Sequence, residues 1–431
     1  MPDFDNQELQ VAAVKLWYDG KDQDITQEQV AHRLREMYPD QGQFDRKRVH
    51  RLCQLAIGAK LADKPTPARL RDDNKISKLI ELVETKERFV HMKTALDRHL
   101  DYLCQTGRFP HKPRIFIVAG AVEKAPEDLV SQFAISAAAC AVDLVNDWHA
   151  ANGGQRALAG VTWGRQLHLI GLAANAAWEQ ARTRERKASF IPLLGLPIGE
   201  HSAATLSSSE IARLLNGTAL RTTGIADKDL RLVPAYFPRG VFEDDELPSL
   251  YKLLSIINGW TATFGLTHME ASKANAVNPG YEVNKCNFIW SSISDFGEPF
   301  GMSPGGPRVW IPFLDASTTE STTPEIPVAD CGGIPLWSDD ARTGSDSLEV
   351  SFRRRWTGIR REQWMCCVDR GFARARHGNA VCGTTIFAPS EAKARSLLYA
   401  MRDGLANILV LGVPCAAKLL ELLEAQSPVR L

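Results

Sequence analysis

Apolar positions along the chain follow two rhythms. As far as Leu103 they recur at helical spacing, and from Pro113 they come in short runs that alternate with helical patterns. Leu9, Val11, Ala12, Leu16 and Trp17 mark an upstream helix over Leu9–Tyr18. Ile25–Leu61 then reads as two short amphipathic helices joined by a turn. Thr26 can cap the first, Gln29 can return the hydrogen bond, and Ile25 can staple onto Val30. Val30, Leu34 and Met37 continue its apolar face. Tyr38–Gln43, with Pro39 and Gly42, breaks the helix. Asp45 caps the second helix, whose face of Val49, Leu52 and Ala56 leaves Arg46, Lys47, His50, Arg51 and Gln54 on the remaining surface. The pattern is the outline of a helix-turn-helix unit over residues 1–61.

Ala62–Asn74, with Pro65 and Pro67 among charges, reads as a linker. Lys75–Leu103 reads as a long helix that either pairs with a second subunit or packs on the next domain, so 62–112 is expected to be linker and long helix. The later strands fall at Arg114–Gly120, Ala157–Val161, Phe190–Leu194, Leu230–Pro234, Asn287–Trp290, Val381–Ala388 and Ile408–Leu411. Helices are expected between them, at Asp128–Asn146, after Arg165, and at Ser209–Leu215, Leu247–Thr261, Ser390–Asp403 and Ala416–Ala425. Strand, loop and helix in repetition predict an α/β fold, an all-α head followed over 113–431 by a Rossmann-like parallel sheet covered on both faces. Ligands of such sheets sit beyond the carboxyl ends of the strands.

Composition narrows the function. The 431 residues hold 51 basic and 51 acidic side chains, which excludes a nucleic-acid binder acting over its whole surface and leaves room for one local basic footprint. Nine cysteines with no CxxC pair point to a reducing compartment. The acidic N-terminus has no apolar signal core, and no apolar run approaches the roughly 20 residues of a membrane span. A cytoplasmic protein away from membranes is expected. Arg353–Arg355 and Arg360-Arg361 read as a solvated face or subunit contact, or as a second phosphate-binding surface. Glu298–Pro307 reads as a surface loop and Ser317–Thr323 as a polar segment. There is no nucleophile elbow, HExxH, P-loop or GxGxxG, and His149, His168 and His268 are scattered. No catalytic residue, metal or cofactor is expected.

Two stretches remain that carry binding chemistry. A short helix with an apolar back and a basic, amide-bearing front suits a DNA major groove, where Arg and Lys meet phosphates or guanine and Gln reads adenine. An ordinary helical hairpin with a solvated face has the same pattern. Thr162-Trp163-Gly164-Arg165 follows a strand and opens a helix, so its backbone N–H groups would face an anion at the positive end of the helix dipole. A tight strand–helix turn is the plainer reading. Lys393, early in another helix after a strand, could meet a second anionic group.

In their order these pieces resemble the bacterial sugar-responsive transcription regulators of the SorC/DeoR type. Asp45-Arg46-Lys47-Arg48-Val49-His50-Arg51-Leu52 is similar to the family's recognition helix, and Leu158–Leu167 to its G-x-x-W-G-R-T-L phosphate loop. Leu193–Gly195 falls where the family has a strand ending in glycine, Val328–Gly332 resembles its V-G-D-I-x-G strand, and Ala388–Leu420 resembles its closing segment. Departures lie at Ala388-Pro389, at Leu411-Gly412-Val413 and in insertions expected around Glu270–Lys285 and Ser338–Arg376.

The resemblance implies a double-stranded DNA operator met by Gln43, Asp45, Arg46, Lys47, Arg48, His50 and Arg51. It implies a phosphorylated sugar effector held by Gly160, Thr162, Gly164, Arg165, Gln166, Gly195, Asp330 and Lys393, and a homodimer or homotetramer. The rival readings are a sugar-phosphate isomerase-like or acyl-transferring enzyme with Asp295 or Asp330 as base, and a hairpin that binds protein.

Overall fold

The computed structural model describes residues 6–19, 26–63, 69–70, 74–118, 126–180, 186–194, 207–217, 282–298, 327–337, 358–377 and 381–426. The expected elements at Leu230–Pro234 and Leu247–Thr261 lie outside these residues, as do Ile25, Gly195, His268, Arg353–Arg355, Ser317–Thr323 and all of Glu298–Pro307 beyond Glu298. The chain divides into two compact units, Met1–Ala95 and Leu96–Leu431.

In the first unit, α1 (Gln7–Asp19), α2 (Gln27–Met37) and α3 (Arg46–Gly58) share one core. The capping box forms as the sequence implies. Thr26 N donates to Gln29 Oε1 at 2.7 Å, and Gln29 N donates to Thr26 Oγ1 at 3.3 Å. A 3-10 turn at Pro39–Gln41 ends α2, and Gly42 at φ +75° reverses the chain in a region open to glycine. Asp45 then caps α3 by accepting from Arg48 N at 2.7 Å. Leu9, Leu16, Val30, Leu34, Val49 and Leu52 are fully or almost fully buried together. At about 1.5–3 kcal/mol for each large apolar side chain removed from water, their burial outweighs the weak propensity of such short helices. Val83 and Val90, from the first part of α4 (Asn74–Gln105), join this core, and Lys86 pairs with Glu8 at 2.6 Å.

The expected linker contains structure of its own, which corrects the reading of 62–74. Ala62–Asp63 (β1) pairs antiparallel with Arg69–Leu70 (β2). Leu61 and Ala62 are buried in the head, which anchors the first strand there. Two-residue strands are too short for alternation to reveal.

The second unit is built on a six-stranded sheet of β3 (Arg114–Val118), β4 (Ala157–Val161), β5 (Ala188–Pro192), β6 (Phe288–Ser292), β9 (Gly383–Ala388) and β10 (Ile408–Gly412). All pairs are parallel and the order is β3-β10-β9-β6-β4-β5. α5 (Pro126–Ala151), α6 (Arg165–Gln180) and α7 (Ser208–Asn216) bury Phe133, Ala137, Ala141, Leu167, Ile170 and Ile211 with Phe190, Phe288, Trp290 and Phe387 of the strands. α8 (Arg361–Arg376) packs on β9, and α9 (Ala394–Arg402) and α10 (Val413–Glu424) pack on each other, with α10 beside β10 and β3. A short antiparallel hairpin, β7 (Ala329–Cys331) and β8 (Ile334–Leu336), lies outside the main sheet.

Helix α8 corrects one expectation and fills in another. The second half of the presumed insertion Ser338–Arg376 is a core helix, with Trp364, Cys367 and Val368 buried and Trp364 Nε1 donating to Leu405 O at 2.9 Å. Arg360 and Arg361 are therefore not a solvated face. Arg360 is buried at the start of α8, where its N donates to Gln363 Oε1 at 3.0 Å, and Arg361 pairs with the buried Asp403 at 3.2 Å. Arg370 likewise donates to the Cys286 and Asn284 carbonyls and ties the 3-10 segment Glu282–Lys285 down just before β6.

Candidate functional site

In the head, burial sorts the side chains of α3. Val49, Leu52, Cys53 and Ala56 face the core, while Arg46, Lys47, His50, Arg51 and Gln54 are exposed, with Gln43 exposed in the preceding turn. Arg46 Nε donates to Gln27 Oε1 at 3.2 Å, which lays its guanidinium across the start of α2. Asp45 and Arg48 serve the turn itself. Arg48 Nη1 donates to Gln41 O at 2.6 Å and to Gln43 O at 3.0 Å, and its guanidinium lies 4.3 Å from the centre of the Phe44 ring. The surface that remains is a basic helix face bearing one amide.

The second candidate site lies at the carboxyl edge of the sheet. From β4 the chain proceeds to β5 on one side, and from β6 it proceeds to β9 and then β10 on the other. The order therefore reverses between β4 and β6, the crevice where ligands of open α/β sheets bind. Three loops are tied together here. Thr162, just past β4, is fully buried; its N donates to Trp290 O at 3.1 Å and its Oγ1 to Ser291 Oγ at 3.2 Å. Ser292 Oγ donates to Trp163 O at 3.1 Å, and Gly164 takes φ +117°, leaving space that a side chain would lose to Ser292. His168 N donates to Gly164 O at 3.0 Å, so α6 begins directly from this loop.

The loop after β9 reaches the same strand end. Lys393 Nζ donates to Ile293 O at 2.5 Å and pairs with Asp295 at 2.9 Å. The β7–β8 hairpin closes the third side. Ser294 N donates to Asp330 O at 2.9 Å, Asp330 N donates to Ser294 Oγ at 2.7 Å, and Asp330 Oδ2 accepts from Gly333 N at 2.9 Å. A side chain at Gly332 would collide with Ser291 and Thr162, so the hairpin sits directly against the β4–β6 crevice. Burial pushes the thiols of Cys331 and Cys415 well up, the first further raised by Asp330 and the second drawn partly back by Lys393. Burial of this kind favours the neutral thiol over the nucleophilic thiolate.

Of the residues expected to hold an effector, Thr162, Gly164, Asp330 and Lys393 thus gather around the end of β6. Gly160 lies within β4, where a Cβ would meet Leu193 Cδ1 at 2.6 Å, so its lack of a side chain serves strand packing. Arg165 is exposed at the first position of α6, and Gln166 beside it is buried with an Nε2 that finds no hydrogen-bond partner among the described residues. Gly195 lies outside the described residues, directly after Leu194, whose N donates to Ser208 Oγ at 3.2 Å. Sequence reasoning missed Ser291, Ser292 and Ser294. The signal was the run of small polar residues directly after the apolar Phe288-Ile289-Trp290.

No family model matches the chain, and no curated protein matches it. Solved structures of SorC- and DeoR-family regulators do. The full-length sorbitol operon regulator SorC from Klebsiella pneumoniae is similar over 95% of this chain and 97% of its own, at 12% identity and a TM-score of 0.44. A DeoR family transcriptional regulator from Listeria monocytogenes is similar over 76% of this chain and 99% of its own, at 14% identity and a TM-score of 0.42. A transcriptional regulator from Streptococcus pneumoniae is similar over 78% and 99%, at 14% identity and a TM-score of 0.46. At such identities no ligand or partner is carried across from them.

Proposed function

We propose that the chain is a DNA-binding transcription regulator whose α/β unit binds a phosphorylated sugar or similar small metabolite, and that this ligand modulates operator binding. The observation that carries the reading is α3. Its apolar back is buried, its start is fixed by the Asp45 cap and the Arg48 clamp, and its exposed face offers Arg46, Lys47, His50 and Arg51. A helix held so firmly at its N-terminus presents its first turns in one orientation, as base reading requires. The homodimer or homotetramer implied by the resemblance suits a two-fold operator, with one reading head for each half-site. The reducing, membrane-free setting inferred from composition agrees with this role, and no helix among the described residues is long and apolar enough to cross a membrane.

The ligand half of the reading rests on the crevice between β4 and β6. Thr162, Gly164 and the start of α6 offer a hydroxyl and helix-terminal N–H groups, and Arg165 and Lys393 offer cations. An enzyme is the weaker alternative, because the candidate bases among the described residues of the crevice are Asp295 and Asp330. Asp295 pairs with Lys393 and Asp330 accepts from Gly333 N, so both carboxylates are already engaged by partners within the chain. The test is binding of the chain's own upstream DNA by the whole protein and by the Arg46→Ala, Arg51→Ala double variant. The regulator reading expects specific binding that is lost by at least tenfold in the variant, each phosphate or base contact contributing about 1–3 kcal/mol. Equal specific binding by both proteins would show that these arginines do not meet the DNA, and no binding by either would favour a hairpin that meets protein.

A further inference from the structure

The cation best placed to receive an anion in the crevice already has one. Lys393 Nζ sits 2.9 Å from Asp295 Oδ1 and donates to Ile293 O, while its side chain is largely shielded and that of Asp295 is 40% exposed. The segment that carries Asp295 is also moored to residues on either side of Lys393 in sequence. Phe296 N donates to Ala392 O at 3.2 Å, the Phe296 ring stacks on Tyr399 with centroids 5.8 Å apart, and Arg395 lies 4.1 Å over the Phe296 ring. Asp295 is thus held at Lys393 by its backbone rather than resting there by chance.

We propose that Asp295 is a built-in occupant of the anion seat on Lys393 and sets which ligands the crevice admits, an inference that rests on the phosphate-binding reading above. A carboxylate ligand that replaced Asp295 would exchange one single negative charge for another and gain nothing at this point. A phosphate monoester, doubly charged above its second ionisation, makes stronger charge-assisted bonds to Lys393 and to the N–H groups at the start of α6, so it can displace the carboxylate. Asp295 is a specificity-determining residue: it raises the threshold for every anion and leaves phosphate monoesters as the class that crosses it. Displacement frees Asp295 toward solvent, to which it is already partly open.

Equilibrium dialysis of the full chain with labelled inorganic phosphate and labelled acetate, above the second pKa of phosphate, tests this without assuming a sugar. The proteins are the parent, Asp295→Asn, Lys393→Met and, as a control for net charge, Asp369→Asn on the exposed side of α8. The expected result is weak phosphate and no acetate binding by the parent. Asp295→Asn should bind phosphate about tenfold tighter, the scale of one partly screened charge, and should begin to bind acetate. Lys393→Met should lose phosphate, and Asp369→Asn should match the parent. If the parent binds phosphate through Lys393 and Asp295→Asn binds it equally or more weakly, the gating role is overturned while the phosphate site stands. If none of the proteins binds phosphate, the phosphate-binding reading falls and the gating role with it.

Discussion

Arg48 lies between Lys47 and Arg51 on α3 and performs different work from either. Lys47 and Arg51 are exposed on α3, whereas Arg48 spans the turn to the Gln41 and Gln43 carbonyls and stacks on Phe44. A guanidinium that satisfies backbone carbonyls in a fixed fork is a structural brace. Salt dependence separates the two roles. Each phosphate contact contributes close to one unit to the slope of log affinity against log salt, so Lys47→Ala should lower that slope by about 1. Arg48→Ala should weaken DNA binding with the slope unchanged, and should lower the stability of the head. A fall in slope for Arg48→Ala equal to that of Lys47→Ala would show that it meets phosphate. The resemblance counted both Lys47 and Arg48 among the DNA contacts, although helical spacing placed only Lys47 on the exposed face. The turn geometry that divides them depends on where Gly42 and Phe44 direct the chain.

At the scale of elements, the parts with a strong local pattern were legible. The capping box at Thr26, the strand Ala157–Val161 and the loop leading into α6 follow from propensity and period, and they form where the pattern puts them. Helix α8 was hidden because its surface is dense with charge, and only Trp364, Cys367, Val368 and Gly371 among the residues after Gln363 form its buried stripe. It nonetheless covers β9 in the middle of the sheet. Trp364→Ala should therefore lower stability to denaturant by about 3–5 kcal/mol, the range for deleting a buried Trp that also loses a hydrogen bond. A loss below about 1 kcal/mol would mean that α8 is peripheral, as an insertion would be. The crevice was half legible for a different reason. The Thr162 loop is contiguous, but its partners Ser291 and Ser292, and Lys393 bound to Ile293 just beyond them, are brought together by the strand order β9-β6-β4, which no local window contains.

For the whole molecule the central claim is that a phosphorylated ligand in the α/β unit changes DNA binding by the head. A ligand can do so only if it binds two arrangements of the protein with different affinity, and the coupling is then reciprocal. The measurement that tests this most directly is binding to the chain's own upstream DNA over a salt series, repeated with each of a panel of sugar phosphates at saturating concentration. The account predicts specific binding that weakens as salt rises, and one ester that shifts the affinity by about 5–150-fold in either direction while the parent sugar does not. It also predicts that operator DNA shifts the affinity for that ester by the same factor. DNA binding that ignores every ester would contradict the ligand half of the account, and absence of DNA binding at any salt would contradict the whole.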